Sequence, residues 1–251
     1  MNILTKIWSN ISEIGLVKLI TMIVKYPFGG HKKNDYRNML SKDSNKEKFT
    51  EIYSKNFWHS NESGSGKGSE IIYTDNLRFW LLRTLPEYGV DKFVDAACGD
   101  FNWMKLVVPE LDIEYYGFDI VDSVIEENIA KYSDDQTRFE VADVCNDKLP
   151  DCDFLMIRDC LFHLSFSDID RLFANLSRTE YKFLLTTTHI LQNSHVNEDI
   201  VSGHFRHIDL FKTPFNFGKN NIVERVEDSI KGFTPREMIL VAKENVPKSL
   251  N

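Results

Sequence analysis

From about residue 90 onward, short apolar runs alternate with segments of helical character, and no other property of this chain constrains its fold as tightly. The runs are KFVDAAC (92–98), DIEYYGFDIV (112–121), TRFEVADVC (137–145), DFLMIRDC (153–160) and YKFLLTTTH (181–189). Between most of them lie NWMKLVVPEL (102–111), SVIEENIAKYS (123–133) and SFSDIDRLFANLSR (165–178), each with helical patterning. Strands alternating with helices pair in parallel through right-handed crossovers, and the helices then cover both faces of the sheet. NIVERVEDS (221–229) and FTPREMILVAKE (233–244) supply two more strands as a closing antiparallel hairpin. The expected architecture is a doubly wound α/β sheet of seven mostly parallel strands, ending in an antiparallel hairpin and preceded by an N-terminal helical extension.

The segment before this pattern divides in two. In residues 1–26, Ile3, Ile7, Trp8, Ile11, Ile14 and Val17 recur at helical spacing, while Lys6, Lys18 and Lys25 interrupt the apolar stretch. No run of about 18 apolar residues is left to span a bilayer. The start also lacks the basic and small-residue marks of a signal peptide. An amphipathic helix is expected, open to three partners: its own domain, a second subunit in a homodimer, or a membrane surface. Residues 26–45, with Pro27, Gly29, Gly30 and many charges, read as a connector. The domain division is therefore 1–45 for helix and connector, and 46–251 for the catalytic-type domain. A short helix over EKFTEIYSKNFW (47–58) opens that domain, and a second, TDNLRFWLLRTL (74–85), is expected to be capped by Thr74 or Asp75. Between them ESGSGKGSE (62–70) is not a phosphate loop, because Lys67 is followed by Gly68 and no buried strand precedes it. Anchored between Trp58 and a helix, such a loop folds over a site.

Composition narrows the partners. Thirty Lys+Arg against 38 Asp+Glu leave a formal charge of −8, so the chain carries no basic field for nucleic acid. The four cysteines, Cys98, Cys145, Cys152 and Cys160, form no C-x-x-C pair and sit in or beside apolar runs, the pattern of reduced cytoplasmic thiols.

In doubly wound sheets, ligands bind beyond the carboxyl ends of the strands. Those ends read Asp95-Ala-Ala-Cys-Gly-Asp100, Asp119, Asp143, Arg158-Asp159 and Thr188-His189. Gly99 allows close backbone approach at the first turn. Asp119, about 20 residues on, stands where a carboxylate accepts both hydroxyls of a ribose. Asp143 can accept a hydrogen bond from an adenine amino group. A dinucleotide site would need G-x-G-x-x-G; here Asp100 and Phe101 replace the second glycine, and Asp100 repels phosphate. The pattern suits a cofactor with positive charge and no phosphate.

FVDAACGDFNWMK resembles the glycine-rich first motif of class I S-adenosylmethionine-dependent methyltransferases. YYGFDIV, EVADV and DFLMIRDCLFHLS resemble the second, third and fourth motifs of that superfamily, in order. Over residues 50–243 the chain is similar to its members, and its fold is then Rossmann-like. IYSKNFWHSNESGSGKGS, CGDFNWM and THILQNSHVNEDIVSGHFRHIDLFKTPF are similar to a bacterial subgroup linked to sugar O-methylation in surface-polysaccharide (capsule) biosynthesis. The resemblance implies S-adenosylmethionine as cofactor and S-adenosylhomocysteine as product. The cofactor residues it implies are Asp95, Ala97, Cys98, Gly99, Asp100, Asp119, Ile120, Asp143, Val144 and Arg158, with Trp58, Ser63 and Ser65 closing over the cofactor. Trp103 and Arg206 fall on the acceptor side, where a guanidinium contacts a nucleotide-sugar phosphate. Ala96-Ala97 departs from the usual glycine-containing pair.

Methyl transfer to a hydroxyl needs a base, and Asp159, His163 and His189 are the candidates. Asp159 and His163 would share a face if a helix starts there, and Arg158 could equally form an ordinary ion pair. His204-x-x-His207-x-Asp209 invites a metal, but the intervening aromatic residues and absent helix favour a structural loop, so no metal is expected. The leading expectation is an O-methyltransferase acting on a small acceptor, most simply a nucleotide-linked sugar. Two alternatives stay open: transfer to an amine, phosphoramidate or carboxylate, and a non-catalytic scaffold of the same fold. A nucleic-acid substrate is disfavoured by the charge and by IRDC (157–160) in place of an N-P-P-Y-type motif.

Overall fold

The computed structural model describes residues 30–250. The described residues divide at about residue 41 into two units. In the first, α1 spans Gly30–Leu40, inside the segment expected to be a connector. The helix starts at the last of the glycines, and the eleven residues that follow Gly29 contain no proline to interrupt it. The expected amphipathic helix over 1–26 lies outside the described residues. Among the described residues, no helix is long and apolar enough to cross a membrane.

The second unit is built on seven strands: β1 (Lys92–Ala96), β2 (Glu114–Asp119), β3 (Thr137–Val141), β4 (Phe154–Ile157), β5 (Phe183–His189), β6 (Ile222–Glu227) and β7 (Arg236–Ala242). Their order in the sheet is β3-β2-β1-β4-β5-β7-β6. The first five pair in parallel, and β7 runs antiparallel between β5 and β6. This is the doubly wound, Rossmann-like sheet with a closing hairpin.

Burial follows position. Every residue of central β4 is buried, whereas edge strand β6 alternates half-buried and exposed residues until Val226. A parallel strand covered by helices on both faces must be apolar throughout, while an edge strand need not be. Phe93 packs edge-on against both Tyr115 and Phe154, with ring centroids 5.6 and 5.4 Å apart, and this cluster fills the middle of the core.

Helices α2 (Asn45–Ser54), α3 (Asp75–Glu87), α4 (Asp122–Tyr132) and α5 (Phe166–Leu176) complete the unit. Ser44 and Glu47 form a reciprocal capping box on α2. Leu77, Trp80, Leu81, Thr84 and Leu85 give α3 one continuous buried face. Its expected side-chain cap is not made, because Thr74 Oγ1 donates back to the Ile71 carbonyl. No α-helix follows β1. NWMKLVVPEL forms two 3₁₀ turns, Met104–Leu106 and Val108–Glu110. Pro109, with no N–H, follows two β-branched valines, which is poor material for a helix interior.

Candidate active site

Strand order reverses between β1 and β4, the place where open α/β sheets bind ligands. A cavity of about 850 Å³, open to solvent at its mouth, lies there beyond the carboxyl ends of the strands. Residues in or just beyond each of β1 to β4 line it, and Asn45, Phe49 and Tyr53 of α2 complete the wall.

The β1 turn is held tightly. The N–H groups of Ala97 and Cys98 both donate to the Phe118 carbonyl at 2.8 Å. The Gly99 N–H donates to Asp119 Oδ2, and the Val121 N–H donates to Asp119 Oδ1, each at 3.1 Å. Ala97, Gly99 and Phe101 all take positive φ, at 74°, 59° and 56°. Gly99 does so freely and Ala97 does not, so the departure from the usual glycine pair leaves strain in this turn. Asp95 accepts the Tyr115 hydroxyl at 2.8 Å. Burial pushes the Asp95 carboxyl up to about 7, against the pull of Tyr115 and Arg158. Asp119 is raised to about 6, again by burial, with the Val121 and Gly99 amides opposing. Asp143, at the end of the third strand, accepts the Cys145 N–H, and Ile120 and Val144 line the cavity beside it.

The loop over 60–70 closes one side. Ser63 Oγ and the Gly64 N–H donate to Asp100 Oδ2 at 2.9 and 2.8 Å, and Ser65 Oγ accepts from the Asp100 N–H at 3.0 Å. Tyr53 of α2 lies 2.8 Å from Ser65 Oγ. A Cβ on Gly99 would overlap Ser65 Oγ, so the loop is seated directly on the glycine turn. Ser65 lines the cavity, whereas Ser63 and Asp100 do not. The Asp100 carboxylate is committed to the loop and does not line the cavity, where the sequence led us to expect it.

Beyond β4 the picture differs more from that expectation. Arg158, with Trp103 5.1 Å beneath its guanidinium, donates through Nε and Nη2 to Asp228 and through Nη2 to the Gly68 carbonyl. Arg236 donates to Asp159 Oδ2 at 2.7 Å and also pairs with Asp228. These four side chains form a buried ionic quartet. Burial alone would raise the Asp159 carboxyl, but the Arg158 and Arg236 guanidiniums outweigh it and hold the group below the ordinary carboxylate range. Asp159 is thus a fixed anion, unsuited to take a proton.

His163 lines the cavity, but not on a helix shared with Asp159. Asp159 has φ 54°, and Leu161–His163 is a single 3₁₀ turn; α5 begins only at Phe166. His163 Nδ1 lies 2.8 Å from the His204 carbonyl oxygen. A carbonyl can only accept, so Nδ1 carries the proton and Nε2 is the lone-pair nitrogen of the neutral ring. Burial lowers its pKa to about 4.

His189 does not reach the cavity. Its Nδ1 accepts the Ile208 N–H, its ring packs on Phe162, Phe205 and His207, and burial with the neighbouring His207 lowers it to about 3. Arg206 also turns away: buried, it donates to the Leu164 and Leu161 carbonyls over the Phe166 ring. Both were expected at the acceptor, and both instead hold the 200–210 segment against the end of β4. Among the described residues, no group of three His, Cys, Asp or Glu side chains is placed to hold a metal.

Trp58 and Trp103 line the cavity. Sequence reasoning missed Asn45, Phe49 and Tyr53 of α2, and Asp228 and Arg236 of the hairpin. The antiparallel register that sets Arg236 opposite His189 brings the last pair near. Cys98 and Cys160 also line the cavity, and burial holds both as thiols, Cys160 at about 12.

No protein-family model and no curated protein sequence matches this chain. Among solved structures, it is similar to magnesium protoporphyrin IX methyltransferase (ChlM) from Synechocystis PCC 6803 with bound SAH, at TM-score 0.51 and 13% identity over 89% of this chain and 99% of that one. The same enzyme with bound SAM gives TM-score 0.50 at 13% identity, over 89% and 96% of the two chains. PigF with SAH gives TM-score 0.55 at 10% identity, over 92% of this chain and 73% of that one. Such identities show a common fold and no more: the chain has the fold of class I S-adenosylmethionine-dependent methyltransferases.

Proposed function

We propose that this protein is an S-adenosylmethionine-dependent methyltransferase that acts on a hydroxyl of a small acceptor, with S-adenosylhomocysteine as the other product. The observation that carries the reading is the set of acidic strand tips, Asp95, Asp119 and Asp143, ranged around the Gly99 turn at the switch point of this fold. The donor set fits that cofactor. Two buried carboxylates with pKa values near 7 and 6, raised by burial, favour a ligand bringing hydroxyls and a cation. A pyrophosphate would find the amides of this turn already spent: those of Ala97 and Cys98 on the Phe118 carbonyl, that of Gly99 on Asp119 and that of Asp100 on Ser65. Asp119 would hold the ribose, Asp143 the adenine end, and Asp95 the ammonium end. Ala97, Cys98, Ile120 and Val144 would shape the walls, with Ser65 and Tyr53 above.

When bound, the cofactor supplies a methyl group already activated by a sulfonium. The chain's own work is to place the acceptor, exclude water and accept a proton. His163 is the base in this reading, through Nε2, its tautomer fixed by the His204 carbonyl. The acceptor oxygen becomes strongly acidic as it gains the methyl, so a base near 4 suffices. Asp159, fixed as an anion, positions and does not titrate. A sugar hydroxyl agrees with the subgroup resemblance and with the indole of Trp58 beside His163. The test is label transfer from radiolabelled cofactor to a panel of sugars, phenols and amines: transfer to a hydroxyl that His163→Ala abolishes supports the reading, and transfer to amines alone would refute it.

A further inference from the structure

We infer that the acceptor enters the cavity as an uncharged ring that brings hydroxyl donors, and not as a sugar nucleotide gripped by its phosphates. This rests on the methyltransferase reading above and concerns the same cavity.

The argument is one of donors and acceptors. With Asp95, Asp119 and Asp143 given to the cofactor, the acceptor side of the cavity keeps the Asp159 carboxylate and the lone pair of His163 Nε2 as acceptors, against one guanidinium, that of Arg158. That guanidinium is already engaged by Asp228, by the Gly68 carbonyl and by the face of Trp103. The arginine that could have met a phosphate, Arg206, donates instead to two backbone carbonyls. An ionised carboxylate accepts hydrogen bonds and donates none. A diphosphate is likewise rich in acceptors, so inside this cavity it would shed water, gain few donors and face like charge. Hydroxyls are the complement: each brings a donor to an acceptor-rich wall.

Aromatic side chains supply the rest of the surface. Trp58 and His163 lie side by side, with ring centroids 5.3 Å apart, and Phe49 and Leu164 extend the apolar wall. An indole face takes the apolar face of a saturated or aromatic ring, and Asp159 with His163 Nε2 takes its hydroxyls. A neutral sugar ring answers both demands. A glycosyl transfer that has released its nucleotide is the class of reaction that supplies such an acceptor.

The experiment uses the full chain saturated with S-adenosylhomocysteine. It is titrated calorimetrically with methyl α-D-glucoside, methyl α-D-galactoside and methyl N-acetyl-α-D-glucosaminide, and separately with UDP, glucose 1-phosphate and UDP-glucose. At least one neutral glycoside should bind no more weakly than any phosphate ligand, changing less than about twofold between about 0.05 and about 0.5 M salt. Trp58→Ala should weaken that glycoside at least about tenfold, and Trp58→Phe, which keeps a ring, less than about threefold. Phosphate ligands binding at least about tenfold tighter and losing affinity with salt would overturn the inference. So would binding of no glycoside to the loaded protein, or an unchanged affinity in a folded Trp58→Ala variant. Failure of S-adenosylhomocysteine itself to bind, seen before any acceptor is added, would instead refute the methyltransferase reading.

Discussion

The two sides of the β1–β4 crevice are assembled by different means. On the β1–β3 side, partners are near in sequence: Gly99 with Asp119 and Tyr115 with Asp95 are each 20 residues apart. On the β4–β5 side they are remote: Arg158 and Asp228 are 70 apart, Asp159 and Arg236 77, and His163 and His204 41. The first side is thus a property of the β1–β2 crossover. The second forms only when the hairpin and the 190–218 segment have come back over the sheet. Binding of the cofactor and placement of the acceptor therefore answer to different parts of the chain, and substitutions should separate them.

The largest expected effect lies in the remote side. Asp228→Asn leaves two buried guanidiniums short of a countercharge and should cost about 3–5 kcal/mol of folding stability. Urea denaturation measures it, and a loss confined to the cofactor's affinity would erase the distinction between the two sides.

His163→Ala should lower turnover by about 10²–10³ at saturating substrates while leaving cofactor affinity within about threefold. The pH profile sharpens this. His163 is held at about 4, so its base form persists and turnover should stay level down to about pH 5.5. An inflection near the ordinary imidazole value of about 6.5 would remove His163 from that role.

Arg206→Met strips the donors from two buried carbonyls and should cost about 1–3 kcal/mol in stability, with the acceptor KM unchanged. A raised KM in a fully stable variant would return Arg206 to the acceptor.

That contrast also accounts for what the sequence disclosed. The sheet, its order of runs and the acidic strand tips were legible because alternating burial and strand ends are local properties. Asp119 could be placed by counting from Gly99. Asp159 and His189 were read as bases because each ends an apolar run, and Arg206 as an acceptor contact because of the resemblance. Their actual partners, Arg236, Ile208 and the Leu164 carbonyl, are set by long-range return of the chain. Asp100 turns to the loop for a related reason: its neighbour Ser63 stands 37 residues earlier, in a loop whose docking no periodicity encodes. The helical reading of 102–111 failed locally, at Pro109.

On the β1–β3 side, the affinity for a cationic cofactor should rise with pH. Asp95 near 7 and Asp119 near 6 retain protons in the ligand-free protein at lower pH, whereas the cation calls for the ionised form. Binding therefore releases protons, and affinity should climb from about pH 5 and level off above about pH 7, as linkage requires. Titration in buffers of different ionisation enthalpy detects the release, and Asp95→Asn should diminish it. The smallest effect expected is from Ala97→Gly, which relieves a left-handed alanine and should raise stability by up to about 1 kcal/mol.

The central claim, that these acidic tips hold S-adenosylmethionine, is tested most directly by calorimetric titration of the purified protein and of Asp119→Ala with that cofactor. The account predicts saturable one-to-one binding that the substitution weakens at least about 100-fold, near the upper end for a buried charged hydrogen-bonding group. Absence of binding to the folded wild-type protein, or unchanged binding in the folded variant, would contradict it.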